Sequence, residues 1–260
     1  MHARVKELIY RLNEIVSIHK LSSDAFCVIY GSYPDGVAKT TSDLDIFVAN
    51  KEYNQALFHD LRKVVIEVHR KFNIPLDEEV SFRNKLLVTF NELEKAAQLN
   101  GMDMADNRFI VPDLIKTELY LESEQIKLRL LFNAISTPHY VLWENDYYSL
   151  VKSKVIENLF WLAIDLLGTK KSTLDEIVAI LFEDKNYRQG ERYLGYKPYP
   201  KVIQKIKENI LNEAIRLNDG GVIVYDYGTK DVRVLNTGSL EGLKNRFVGS
   251  SKQPISSTIL

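Results

Sequence analysis

Cysteine is almost absent: Cys27 is the one thiol in 260 residues. That excludes an intrachain disulfide framework and fits a reducing compartment. Cys27 heads the apolar run Cys27-Val28-Ile29-Tyr30 and reads as buried filler. Long apolar runs are lacking as well. The longest, Phe160-Trp161-Leu162-Ala163-Ile164 and Leu130-Leu131-Phe132, fall well short of the roughly 18 residues that span a bilayer. The first residues carry Glu7 and Glu14 among apolar positions, an amphipathic pattern and not a secretory leader. A soluble, cytoplasmic chain is the expectation. Neither sign of charge is in excess: 34 Lys and Arg against 35 Asp and Glu leave a formal net charge of −1. No global positive field therefore gathers long nucleic acid. The five histidines show no metal-ligand spacing. Internal repeats and low-complexity tracts are missing too.

What is present is a change of pattern along the chain. Residues 3–18 place Val5, Leu8, Ile9, Leu12, Ile15 and Val16 at helical spacing, so a helix is predicted there. Strands are predicted at 25–30 and 44–49, with a Pro/Gly/Ser/Thr-rich loop over 33–42 that holds at most one helical turn. A helix follows at 53–72. The stretch 74–82 reads as a third strand, 85–90 as a fourth or its continuation, and 91–99 as a helix. Later helices are predicted at 113–135, 146–168, 172–183 and 199–217. A hairpin is predicted from strands 222–227 and 232–235. The expected fold class is α+β: a small mixed sheet flanked by helices in residues 1–108, then a mainly helical part with a short hairpin in 109–260. A plausible seam lies at Ile110-Val111-Pro112, and the tail 249–260 has a disorder-prone composition.

The chemistry concentrates in one composite motif. Val28-Ile29-Tyr30 runs into Gly31-Ser32, a ten-residue spacer follows, and then comes Asp43-Leu44-Asp45-Ile46-Phe47-Val48. Carboxylates at i and i+2 on a strand project from one face, while Leu44 points the other way into a core. Two adjacent carboxylates repel and raise each other's pKa. A divalent cation removes that conflict, and Mg²⁺ favours one or two carboxylates plus phosphate oxygens and water. Gly31 lets backbone approach a ligand closely, and the Ser32 hydroxyl can donate to phosphate. Ser42, beside Asp43, joins Gly31 and Ser32 among the nucleotide-binding candidates.

This arrangement resembles the signature of the DNA polymerase β-like nucleotidyltransferase superfamily, a Gly-Ser turn followed by Asp-x-Asp. The shared part would cover roughly residues 25–90. The resemblance implies Asp43 and Asp45 as metal ligands, with Gly31 and Ser32 on the triphosphate. It implies a Mg²⁺ cofactor, with ATP as the expected nucleoside triphosphate. It also implies a third carboxylate on a nearby strand. Alternation over 74–82 would put Asp77 and Glu79 on one face. Both are candidates, Glu79 slightly preferred, as a shared metal ligand or as the base that takes the acceptor proton. A cation for the β- and γ-phosphates is expected from the helical half. Lys152 and Lys154 are the candidates, with Lys127 and Arg129 beside them.

The acceptor is not read by the motif. Size, neutral charge and layout are similar to those of the small-molecule, antibiotic-modifying nucleotidyltransferases. Tyr140, Trp143, Tyr147 and Tyr148 with Glu144 and Asp146 either line a pocket for a cationic acceptor or pack at a domain interface. Glu144 and Tyr147 are the acceptor-binding candidates. An alternative is an enzyme acting on tRNA or protein, as toxin–antitoxin members of the superfamily do. The lysines of 197–207 would then form a basic surface or simply a solvated helix face. A third reading is a non-catalytic nucleotide-binding module.

Overall fold

A computed structural model of the chain describes residues 2–21, 24–99, 123–183, 187–188, 191–192 and 196–235. Helix α1 (Ala3–His19) buries Val5, Leu8, Leu12 and Ile15, the apolar stripe that the sequence spells out. Strand β1 (Ala25–Tyr30) is buried at all six positions. One helical turn, α2 (Ser32–Asp35), and a loop lead to β2 (Asp45–Asn50). Helix α3 (Gln55–Lys71) starts where the Asn54 side chain accepts the Leu57 N–H. There follow α4 (Glu78–Phe82), β3 (Val88–Thr89) and α5 (Phe90–Leu99). Next come α6 (Ser123–Ser136), β4 (Tyr140–Trp143) and α7 (Asp146–Leu167). Strand β5 (Lys171–Thr173) runs into α8 (Leu174–Ile180), where Thr173 and Glu176 form a capping box. The last elements are β6 (Tyr187–Arg188), β7 (Glu191–Arg192), α9 (Pro200–Asp219), β8 (Ile223–Tyr225) and β9 (Asp231–Val234).

The main sheet has four strands in the order β3-β2-β1-β4. Strand β1 is antiparallel to both neighbours, and β2 is parallel to β3. Period-two alternation splits the side chains between two cores. Ala25, Cys27, Ile29, Ile46 and Val48 join the buried faces of α1 and α3. Phe26, Val28, Tyr30, Phe47 and Ala49 face α5, α6 and α7. Covering both faces explains why the two central strands are nearly continuous apolar runs. The second core continues through α8, α9 and the small sheet β5-β9-β8.

Two expectations about elements need correction. Residues 74–82 form no strand: α4 begins at Glu78, and Ile74, Ser81 and Phe82 are buried. The alternation there was a short helical turn plus a loop, with Arg62 pairing with Glu78 and lying 5.7 Å from the Phe82 ring centre. The strand expected at 85–90 is confined to Val88–Thr89, although the Lys85 carbonyl already accepts the Val48 N–H at 2.9 Å. The second correction concerns β4. Tyr140-Val141-Leu142-Trp143 is an edge strand of the amino-terminal sheet, paired with β1. Sheet and core thus both cross the expected 108/109 seam. The expected break at 110–112 and the tail 249–260 lie outside the described residues. Among the described residues, no helix is long and apolar enough to cross a membrane.

Candidate active site

The site begins at the carboxyl end of β1. Tyr30 pairs with Asp45 across the sheet, so the turn after β1 and the start of β2 lie side by side. Gly31 makes that turn with φ 80° and ψ −148°. A Cβ added there would sit 2.6 Å from Asp45 Oδ2, so only glycine fits. The loop after α2 is clipped in place. The Tyr33 hydroxyl donates to the Ser42 carbonyl at 3.1 Å, and Arg4 donates to the Tyr33 oxygen and to the Thr40 carbonyl. The Ser42 hydroxyl accepts the Lys39 N–H at 2.8 Å.

This clip presents Asp43 and Asp45 together. Leu44, between them, is buried on the opposite side with Ile46. Its N–H donates to Nε2 of the buried His69 at 3.2 Å. His69 Nδ1 lies 2.7 Å from the Val65 carbonyl. A carbonyl can only accept, so Nδ1 carries the proton and Nε2 is left to accept: the ring is the neutral Nδ1–H tautomer. Burial lowers the His69 pKa, in keeping with that form.

Asp43, Asp45, Gly31, Ser32 and Ser42 all line one cavity of about 540 Å³. Burial raises the Asp43 pKa, and the negative charge of Asp45 raises it further. Asp35, also in the lining, is pushed up to about 6, by burial first and by Asp45, against the pull of Lys197 and Lys201. Lys85 Nζ lies 2.5 Å from Asp45 Oδ1, with its side chain only 4% exposed. The lining also takes in Arg129 and Asn133 from α6, and Lys197 and Tyr199 from the segment before α9; Lys39 adds a further cation. Two buried polar atoms of the lining, Ser32 Oγ and Asp35 Oδ1, have no hydrogen-bond partner. Orphaned groups of this kind carry a desolvation cost that a bound polar ligand relieves.

A family model described as a nucleotidyltransferase domain matches residues 9–111. The chain carries a nucleotidyltransferase domain. No curated protein matches the chain. The match starts within α1 and takes in β1, the Gly31 turn, both aspartates and Lys85. The chain is accordingly a transferase of the nucleotidyl-transferring class.

Around this nucleotidyltransferase site, several expected residues stand elsewhere. Asp77 is exposed, outside the cavity lining, with its carbonyl accepting the Ser81 N–H. Glu79 falls in α4, and its side chain lies outside the described residues. With no strand at 74–82, strand alternation does not put these two acids on a shared face. Lys152 sits 5.9 Å from the Tyr148 ring centre, and Lys154 is buried within α7. Neither lines the cavity, because α7 packs on the sheet away from it. Lys127 pairs with Glu92 at 2.6 Å. Tyr147 stacks on Phe90 with 3.7 Å between ring centres, and Glu144 is exposed beyond β4. The aromatic cluster is therefore packing: Trp143 and Tyr148 are buried in the two cores.

Lys85, Asp35 and Asn133 escaped sequence reasoning. Lys85 did leave a trace. It opens the apolar run Leu86-Leu87-Val88, and a lysine leading a strand that is about to be buried needs a counter-charge. Lys197 was visible only as part of a lysine-rich segment. Two of its four lysines are paired, Lys207 with Asp175 at 2.5 Å and Lys205 3.9 Å from Glu208, while Lys197 and Lys201 are exposed.

Proposed function

We propose that the chain transfers a nucleoside monophosphate from a nucleoside triphosphate, ATP by expectation, to a hydroxyl of a small molecule. The carrying observation is the convergence of Asp43, Asp45 and the unpartnered Ser32 hydroxyl on one cavity that Lys39, Arg129 and Lys197 also line. The donor set fits Mg²⁺. Among the described residues no group of three or more His, Cys, Asp or Glu gathers as a cage. Two carboxylates that complete their coordination with phosphate oxygens and water are the pattern Mg²⁺ favours. Asp43 and Asp45 would hold the ion, which when bound neutralises charge on the phosphate oxygens.

The chain's own groups do the rest. Ser32 and the Gly31 turn receive the triphosphate, and Lys39, Arg129 and Lys197 offset its charge. The acceptor oxygen bonds to the α-phosphorus as the bond to the β-phosphate oxygen breaks, and pyrophosphate leaves. Asp35 takes the acceptor proton, since a carboxyl raised to about 6 serves as a base near neutral pH. A small acceptor is favoured because the cavity is of ligand size and the lysines of α9 are partly ion-paired rather than arrayed as a groove.

The test is transfer of label from an α-labelled triphosphate with Mg²⁺ to three acceptor pools: a panel of hydroxyl-bearing antibiotics, bulk tRNA and protein. Label is expected on a small molecule, and Asp45→Asn is expected to abolish it while leaving the thermal unfolding profile intact. Label on tRNA or protein instead would replace the acceptor assignment. Nucleotide binding without any transfer would favour the non-catalytic module.

A further inference from the structure

We infer that Lys85 stands in for a second divalent cation at Asp45, so that the chain works with a single ion. This rests on the transferase reading above and deepens it.

Where two metal ions serve phosphate chemistry they lie roughly 3.5–4 Å apart, clamping the attacking and leaving oxygens. A second ion at Asp45 would need the oxygen that Lys85 already holds at 2.5 Å. The ammonium is fixed there by its surroundings. Its backbone carbonyl is tied to the Val48 N–H, its stem is buried, and Nζ lies 5.9 Å from the Tyr30 ring centre. Withdrawing a lysine so placed would leave the Asp45 carboxylate without its counter-charge. Lysine suits the task because its charge is compact and point-like, closer to a metal ion than the planar guanidinium is.

The experiment counts ions. Mn²⁺ is titrated into the full chain saturated with the α,β-methylene analogues of the four common nucleoside triphosphates, one at a time, with free and bound Mn²⁺ read by electron paramagnetic resonance. One Mn²⁺ per chain–nucleotide complex is expected for the natural chain, and two for Lys85→Glu. Without nucleotide, Lys85→Met is expected to bind Mn²⁺ tenfold or more tightly than the natural chain, because Asp45 has lost its counter-ion. Two Mn²⁺ in the natural complex would overturn the inference and leave the transferase reading standing. So would a folded Lys85→Met with unchanged Mn²⁺ affinity. Should either variant fail to fold, the count in the natural chain decides alone. No uptake of any analogue would remove both readings together.

Discussion

Gly31 and His69 show how single residues set the spacing of the two aspartates. Gly31 adopts a φ that other residues rarely take, and its missing Cβ leaves room for the Asp45 carboxylate. Gly31→Ala is expected to cost about 1–3 kcal/mol in backbone strain. It should also lower transfer on the order of 10²-fold by displacing Asp45. Chemical unfolding and single-turnover transfer measure the two effects separately. His69 works from behind the motif, through the Leu44 N–H. His69→Leu keeps the volume apolar but strands that donor, at a cost of about 1–3 kcal/mol. Weaker binding of Mg²⁺ and nucleotide should accompany the loss. Unchanged binding in a destabilised His69→Leu would mean that the histidine serves stability only. The Asp-x-Asp pair was legible in the sequence as a motif following the Gly-Ser turn, although β2 starts only at Asp45 and the clipped loop, not strand alternation, carries Asp43. The Lys85–Asp45 contact was not, because forty residues separate partners that only the β2–β3 pairing brings together.

Elements were legible where periodicity was long. Helices α1, α3, α7 and α9 match their predicted spans closely, since each has several turns of apolar repeat. Short segments misled. Five residues of α4 offer barely one turn, so a period of two and a period of 3.6 could both be read from them. Strand β4 has only four residues, and its aromatics suggested a pocket before they suggested a strand. Its position has a consequence. Helix α6 and β4 cover the inner face and free edge of β1, although both lie beyond the first 108 residues. A fragment ending at residue 122 would expose Phe26, Val28 and Phe47 and leave β1 unpaired on one side. It is expected to aggregate and to show no cooperative thermal transition. A monomeric fragment with a sharp melt would show that the amino-terminal part closes its core without α6 and β4.

For the molecule as a whole, ionisation ties stability to ligand binding. Asp35 and Asp43 have folded pKa values above those of the unfolded chain, through burial first and Asp45 second. Their ionisation favours the unfolded state, so stability falls as pH rises from about 4 through about 6, the window set by Asp35. His69 and His139 have lowered values, again through burial, so their contribution is present above about 6.5 and is lost as pH falls below it. On the proposed function, Mg²⁺ and a triphosphate would bind the deprotonated aspartates and compete with protons. The rise in melting temperature on adding Mg²⁺ with a non-hydrolysable triphosphate should therefore be larger at pH 8 than at pH 5. Equal shifts at the two pH values would take Asp43 out of the binding site.

The amino-acid sequence by itself determined the central strands, the long helices, the Gly-Ser turn and the Asp-x-Asp motif beside it. Each of these follows from patterns only a few residues long. Tertiary structure alone decided what surrounds the motif. It set a buried lysine beside Asp45, placed Arg129 and Lys197 in the cavity lining, and packed the aromatics against the two cores. Those are contacts between segments far apart in the chain, and local periodicity carries no information about which distant surface a side chain will meet.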